Sequence, residues 1–302
     1  MIFDLTECAI FIILLRLKLN PADAICCKCM NTPASTQQQM NVEWKPSDLD
    51  DLRAAKGQLE YPSLTARLAA LLGKPIEIGL KLLPGNWHNK VREITQAALL
   101  QGLQFAILTI GTKGGKKSND RLHKALAFGS GTAGGAFGAL SAAIELPIST
   151  CIMLRSIANI ARSEGHDLTR LETKFACLEV FALGGKSKKD DTFEEGYWAV
   201  RSALAKEISD AMKYIAEKGL SQKSAPPLVR LITSIAARFS IVVTEETAAK
   251  LVPVVGAVSG GVINVMFMSH FQEMAKGHFS IKRLEKKYGL EVVRQKYEAM
   301  EI

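Results

Sequence analysis

Apolar positions recur at helical spacing from residue 48 onward, and in two places they crowd into charge-free blocks. Residues 125–144 repeat small side chains every fourth position, at Gly131, Gly135, Ala139 and Ala143, with Gly134, Gly138 and Ala142 on the adjoining row. Residues 251–269 repeat the spacing with Gly256, Gly260 and Asn264. Such spacing places small groups on one helix face, where a second backbone can approach closely. Pro147 follows Glu145 and Leu146. It predicts a break, because proline lacks the amide proton and disfavours helix at the residue before it. The pattern predicts a multi-helix bundle around two glycine-rich apolar helices, one forming a hairpin broken at Pro147. The two helices are expected to pack glycine face to glycine face.

The remaining segments are helical in period as well. Leu49, Leu52 and Ala55 open a helix whose first turn carries Asp48, Asp50 and Asp51, the charge that suits a helix N-terminus. Ser63 caps residues 64–72, and Pro75 opens a short segment ended by Pro84 and Gly85. Residues 94–112 carry no charge, but Gln96, Gln101 and Gln104 mark them as a bundle helix rather than a membrane span. Residues 148–161 form an apolar helix, and Asp167 or Thr169 caps another over 170–183, stopped by Gly184 and Gly185. Residues 197–218 predict an amphipathic helix with Trp198, Ala205, Ile208, Met212 and Ile215 on its apolar face. Pro226 and Pro227 separate it from 228–243, and residues 281–300 form an exposed terminal helix. No alternating strand pattern occurs, so the fold class is all-α.

The first 42 residues stand apart, and the folded domain is expected over 43–302. Residues 9–15 are apolar, but Asp4 and Glu7 precede them where a signal peptide carries positive charge, and seven residues cannot span a bilayer. This stretch reads as a poorly ordered tail, or as residues upstream of a true start at Met30 or Met40. Cys26, Cys27 and Cys29 lie within it, and palmitoylation is the sharper alternative for that cluster. No second Cys or His pair completes a zinc site, and a disulfide framework is not indicated, so a reducing compartment is expected with no metal and no cofactor.

Charge then narrows the partner. The 302 residues hold 38 Lys and Arg against 30 Asp and Glu, a net charge of +8. That excess suits an acidic partner, and without a nucleic-acid module the best fit is an anionic membrane surface or a membrane-protein partner, with no nucleic acid. The basic turn after residue 110 supplies Lys113, Lys116, Lys117, Arg121 and Lys124 as a candidate lipid-facing patch. It is not a phosphate-binding P-loop, because Lys116 stands where the motif starting at Gly111 requires glycine. Gly129, Gly131 and Gly134 match a dinucleotide fingerprint only in letters, since helix rather than strand precedes them. Protease and serine-hydrolase signatures are missing, and His270 with Glu273 has the wrong spacing for a zinc protease. Glu145, Asn264 and Arg155 remain as a candidate buried polar site, polar groups in apolar surroundings that need one another as partners.

Three ordered blocks carry a family resemblance. Residues 129–167, GSGTAGGAFGALSAAIELPISTCIMLRSIANIARSEGHD, are followed by LEVFALG at 178–184. A terminal block over 252–289 holds Pro-Val-Val-Gly-Ala-Val, Asn264 and a basic Arg-Leu-Glu-x-x-Tyr-Gly ending. Over residues 41–290 the chain resembles the EcsC family, associated with bacterial ABC exporters. The resemblance implies an α-helical, membrane-associated cytoplasmic accessory protein supporting transport or envelope processes, and it supplies no catalytic residues. The alternative is a soluble helical enzyme, a hydrolase whose glycine helices form a buried central hairpin.

Overall fold

A computed structural model describes residues 43–60, 64, 68, 75–110, 142–184, 196–219, 225–251 and 256–301. Among them are nine helices and no strands: α1 (Pro46–Glu60), α2 (Pro75–Leu82), α3 (Trp87–Thr109), α4 (Ala142–Ser163), α5 (Leu171–Leu183), α6 (Tyr197–Lys218), α7 (Pro226–Lys250), α8 (Gly256–Tyr288) and α9 (Leu290–Glu298). All lie within the unit Glu43–Ile302. The all-helical expectation holds throughout these residues. Residues 111–141, with most of the first glycine block, and 252–255 lie outside them.

Two helices organise the rest. At 33 residues α8 is about 50 Å long, and it packs against α1, α4, α5, α7 and α9. Helix α7 packs against α2, α3, α5, α6 and α8. Phe181, Phe239, Phe267 and Phe271 interlock where α5, α7 and α8 meet, with ring centroids 4.8–6.1 Å apart. Helices α4 and α8 run parallel: Gln272 Nε2 donates to Ser156 Oγ at 2.9 Å, and further along Arg283 Nε donates to Glu164 at 3.0 Å.

Local chemistry explains the boundaries. Asp167 Oδ1 accepts from both the Thr169 amide (2.9 Å) and hydroxyl (2.7 Å), an Asx turn two residues ahead of α5 rather than a direct cap. Pro226 and Pro227 occupy the first turn of α7, where missing amide protons cost nothing, so they begin the helix. Gly289, at φ +91°, makes a one-residue corner between α8 and α9. The exposed terminal helix predicted over 281–300 is therefore two helices, with Ile281, Leu284, Val293 and Tyr297 all buried. On α6 the apolar face includes buried Leu204, while Ala205 is exposed.

Pro147 does not end a helix. Helix α4 continues through it from Ala142 to Ser163. The proline costs the bond to the Ala143 carbonyl. Leu146, Thr150, Met153 and Leu154 are buried around it and hold the helix together.

Among the described residues, two close helix crossings fall at Gly79 and Gly277, which lie outside the two sequence blocks. A Cβ on Gly79 would run into the Ala248 carbonyl, and one on Gly277 would lie 2.7 Å from Leu59 Cγ and 2.9 Å from the Ala55 carbonyl oxygen. These positions join α2 to α7 and α1 to α8. Charged contacts reinforce the second junction: Asp48 accepts from Lys287 and from the Tyr288 hydroxyl, and Arg283 pairs with Asp51 at 2.8 Å. Asp48 thus does more than face its own helix dipole, and these two hydrogen bonds hold its carboxyl below the ordinary range.

Gly277→Ala and Gly79→Ala should each destabilise the fold by about 1–3 kcal/mol, the cost of overpacking. Gly57→Ala, whose Cβ would meet nothing within 4 Å, should instead stabilise by about 0.5–1 kcal/mol through helix propensity. Urea denaturation of the three variants measures this, and equal midpoints would contradict the crossings.

Candidate functional site

Helix α5 is buried on every side from Thr173 to Leu183, so its single interior carboxylate, Glu179, must find partners inside the protein. They come from two neighbouring helices. Tyr197 and Arg201 stand one turn apart on α6, and His278, Lys282 and Glu285 share one face of α8 by their i, i+4, i+7 spacing.

The contacts close a ring. Arg201 Nη1 donates to the Tyr197 hydroxyl at 3.2 Å, so that hydroxyl gives its own proton to His278 Nδ1 at 3.0 Å. His278 then carries its proton on Nε2, which faces Glu179 Oε2 at 3.5 Å. Arg201 Nε lies 3.9 Å from Glu179 Oε1 and completes the circuit. The same guanidinium forks onto Glu285, with Nη2 at 3.1 Å and a shorter bond from Nη1, and lies over the Trp198 ring at 5.0 Å. Beside the ring, His166 donates from Nε2 to the Phe279 carbonyl (3.0 Å) and accepts from Lys286 at Nδ1 (3.0 Å).

Burial dominates the electrostatics. His278 is 0% exposed; burial first, then the Lys282 and Arg201 charges, hold it well below its ordinary pKa and keep it neutral. Burial raises Glu179, against the opposing pull of Lys282 and Arg201, and raises Tyr197 well above the usual phenol. Lys282 is lowered by burial, with Glu179 opposing. Tyrosine, histidine and glutamate so linked have the ingredients of a proton relay. Yet Tyr197, Glu179 and His278 are all buried. In the closed structure the ring joins α5, α6 and α8. Cys177, two residues before Glu179, is pushed up to about 12 by burial and is an inert thiol.

The residues singled out from sequence lie elsewhere. Asn264 is buried beside a cleft between α4, α7 and α8 lined by Ser149, Ile152, Met153, Glu246, Phe267 and Met268. The cleft has room for about one water molecule. The carboxylate lining it is Glu246, paired with Lys250 at 3.1 Å, which the sequence reading passed over. Arg155 is exposed on α4 and cannot serve as a buried partner for Asn264, a correction to that expectation. Glu145 is helical within α4, but its side chain lies outside the described residues, as do Lys113, Lys116, Lys117, Arg121 and Lys124. Among the described residues no group of three His, Cys, Asp or Glu side chains is placed to hold a metal ion.

Sequence reasoning missed the ring, although two signals were present: a lone glutamate inside the apolar run FACLEVFAL, and the one-face spacing of His278, Lys282 and Glu285. The ring also sets a pH response. His278 and His166 both sit below their ordinary value. The unfolded chain therefore takes up their protons first as pH falls below about 6.5, and stability present above that pH is lost on acidification. Glu179, raised in the fold, works in the opposite sense nearer the carboxylate range. The thermal midpoint should fall from pH 7 to 5.5, at up to about 1.4 kcal/mol per pH unit for each suppressed histidine. His278→Gln should start less stable but show a shallower slope. An unchanged slope would contradict a neutral buried His278.

No curated protein and no solved structure matches the chain. One family does: the match runs over residues 48–284, well over half the chain, from Asp48 at the start of α1 to Leu284 near the end of α8. It takes in every member of the ring but Glu285, and the chain belongs to the EcsC protein family.

Proposed function

We propose that this protein is a membrane-associated accessory protein of the EcsC type, attached peripherally to an anionic lipid surface on the cytoplasmic side and supporting transport or envelope processes. The observation that carries the reading is the placement of the two apolar blocks. Helices α4 and α8 run parallel, so their N-terminal ends, which contain the described parts of both blocks, lie together. Ile148 is 55% exposed and Val262 39% exposed beside the cleft at that end. We further propose that residues 125–144 and 251–269 pack glycine row to glycine row there, as a central feature of the bundle.

Helix α7 favours peripheral attachment over spanning. By length and composition it is the one described helix able to cross a membrane, but 56% of its apolar window is buried against the rest of the protein. Its apolar character has a use in the core. The net charge of +8 and the basic segment after Ile110 add an electrostatic component. The competing reading, a soluble helical hydrolase, needs an acid or base open to substrate, and the acid–base groups of the ring are sealed.

Flotation with vesicles tests the proposal. Binding should favour anionic over neutral vesicles and weaken with salt. Replacing Lys113, Lys116 and Lys117 by glutamine should reduce it by about 1 kcal/mol per lysine. Ile148→Ser with Val262→Ser should reduce the salt-resistant remainder. Equal binding to neutral and anionic vesicles, unaffected by either set, would overturn the reading, and release only by detergent would replace it with integral insertion.

A further inference from the structure

We infer that α9 is a displaceable strap, a short helix seated over the entrance to the Tyr197–His278–Glu179–Arg201 ring and able to swing away about Gly289. The inference does not depend on the membrane reading.

Four observations carry it. First, α9 lies beyond the family match, which ends at residue 284 within α8. Second, its connection to α8 is the single residue Gly289, whose φ of +91° side chains rarely adopt. The corner can act as a pivot without disturbing α8. Third, α9 buries only Val293 and Tyr297 of its nine residues, and Glu291, Gln295, Lys296 and Glu298 face solvent. Its C-terminal end is held from α1, where Lys56 Nζ donates to the Tyr297 carbonyl at 2.9 Å and the Met300 carbonyl at 2.5 Å and lies over the Tyr297 ring at 5.1 Å, with Glu60 beside the Tyr297 side chain. Fourth, Tyr297 sits on the outer wall of the ring. Its centroid is 5.9 Å from Tyr197 and 5.8 Å, edge-on, from Trp198, the two aromatics that stack against Arg201.

The consequence is mechanical. With α9 seated, Tyr297 covers Tyr197 and Trp198, and the hydroxyl of Tyr197 reaches only Arg201 and His278. With α9 displaced, those two aromatics become an open, cation-flanked surface, and the hydrogen-bonded path from Tyr197 to His278 begins at solvent. The groups around His278 in either state are Tyr197 and Arg201 from α6, Glu179 from α5, Lys282 and Glu285 from α8, and His166 from the turn before α5. A domain closed in this way keeps Tyr197, His278 and Glu179 buried until the strap moves, while Arg201 and Glu285 already reach solvent in part.

Hydrogen exchange followed by mass spectrometry on the full chain tests this directly. In the wild-type protein the amides of residues 290–298 should exchange at least 100-fold faster than those of 264–284, with rates independent of low denaturant, the mark of local opening. Lys56→Gln should speed α9 roughly 10-fold further and leave 264–284 unchanged. Hydroxyl-radical labelling of Trp198 should rise in the same variant. Exchange of α9 together with 264–284 in the wild type would overturn the strap, because α9 would then open only with global unfolding. Fast exchange of α9 with no change in Trp198 labelling would overturn its covering role.

Discussion

Placing charged groups between packed helices obliges them to satisfy one another, and that constraint shapes the centre of this protein. Glu179 enters the core on a helix with no solvent-facing side. A carboxylate there costs several kcal/mol unless it is paired and hydrogen-bonded. Lys282 and Arg201 supply the charge, Glu285 shares the guanidinium, the Tyr197 hydroxyl bonds His278 Nδ1, and His278 Nε2 faces Glu179 at 3.5 Å. A buried ionic cluster of this kind contributes little net stability over an apolar core of the same shape, but removing one member is expensive. Its effect is to fix register: α5, α6 and α8 can meet in one arrangement only, the one in which these groups close.

The same constraint separates two regions of the protein with different uses. At the ring, polar chemistry is internal and covered. On the N-terminal halves of α4 and α8, Ile148 and Val262 are partly exposed, and Asn264 and the Glu246–Lys250 pair stand at the edge of a small cleft. The clasp of α1 onto the end of α8, through Asp48, Arg283, Lys287 and Tyr288, joins the two termini of the domain. Trp44 extends the clasp by stacking on Tyr288 at 4.3 Å.

Much of the fold was legible because helical period and proline or glycine punctuation are local signals. The limits of α6 and the opening of α2 at Pro75 follow from them directly. Long-range facts were not legible. Pro147 marks a break by its own chemistry, yet the buried neighbours Leu146, Met153 and Leu154 carry α4 through it. Gly289 lies in a run of alternating Lys and Glu that hides a corner, and only the burial of Val293 and Tyr297 against other helices shows why the chain turns there. For the site, single polar residues in apolar blocks were a sound guide to burial for Asn264 but not to partnership. Arg155 faces solvent, and the ring draws its members from helices far apart in sequence. A lone Glu179 announces a buried charge. It does not announce which arginine answers it.

A double-mutant cycle between Glu179→Gln and Arg201→Met, read by urea denaturation, tests the ring most directly. Arg201→Met alone leaves Glu285 without its guanidinium partner and Glu179 with Lys282 as its remaining cation, and should cost about 3–5 kcal/mol. In the Glu179→Gln background one of those carboxylates is already gone. The account predicts a smaller loss there, with a coupling energy above about 1 kcal/mol. Strictly additive losses would contradict it and show that the two side chains do not depend on each other.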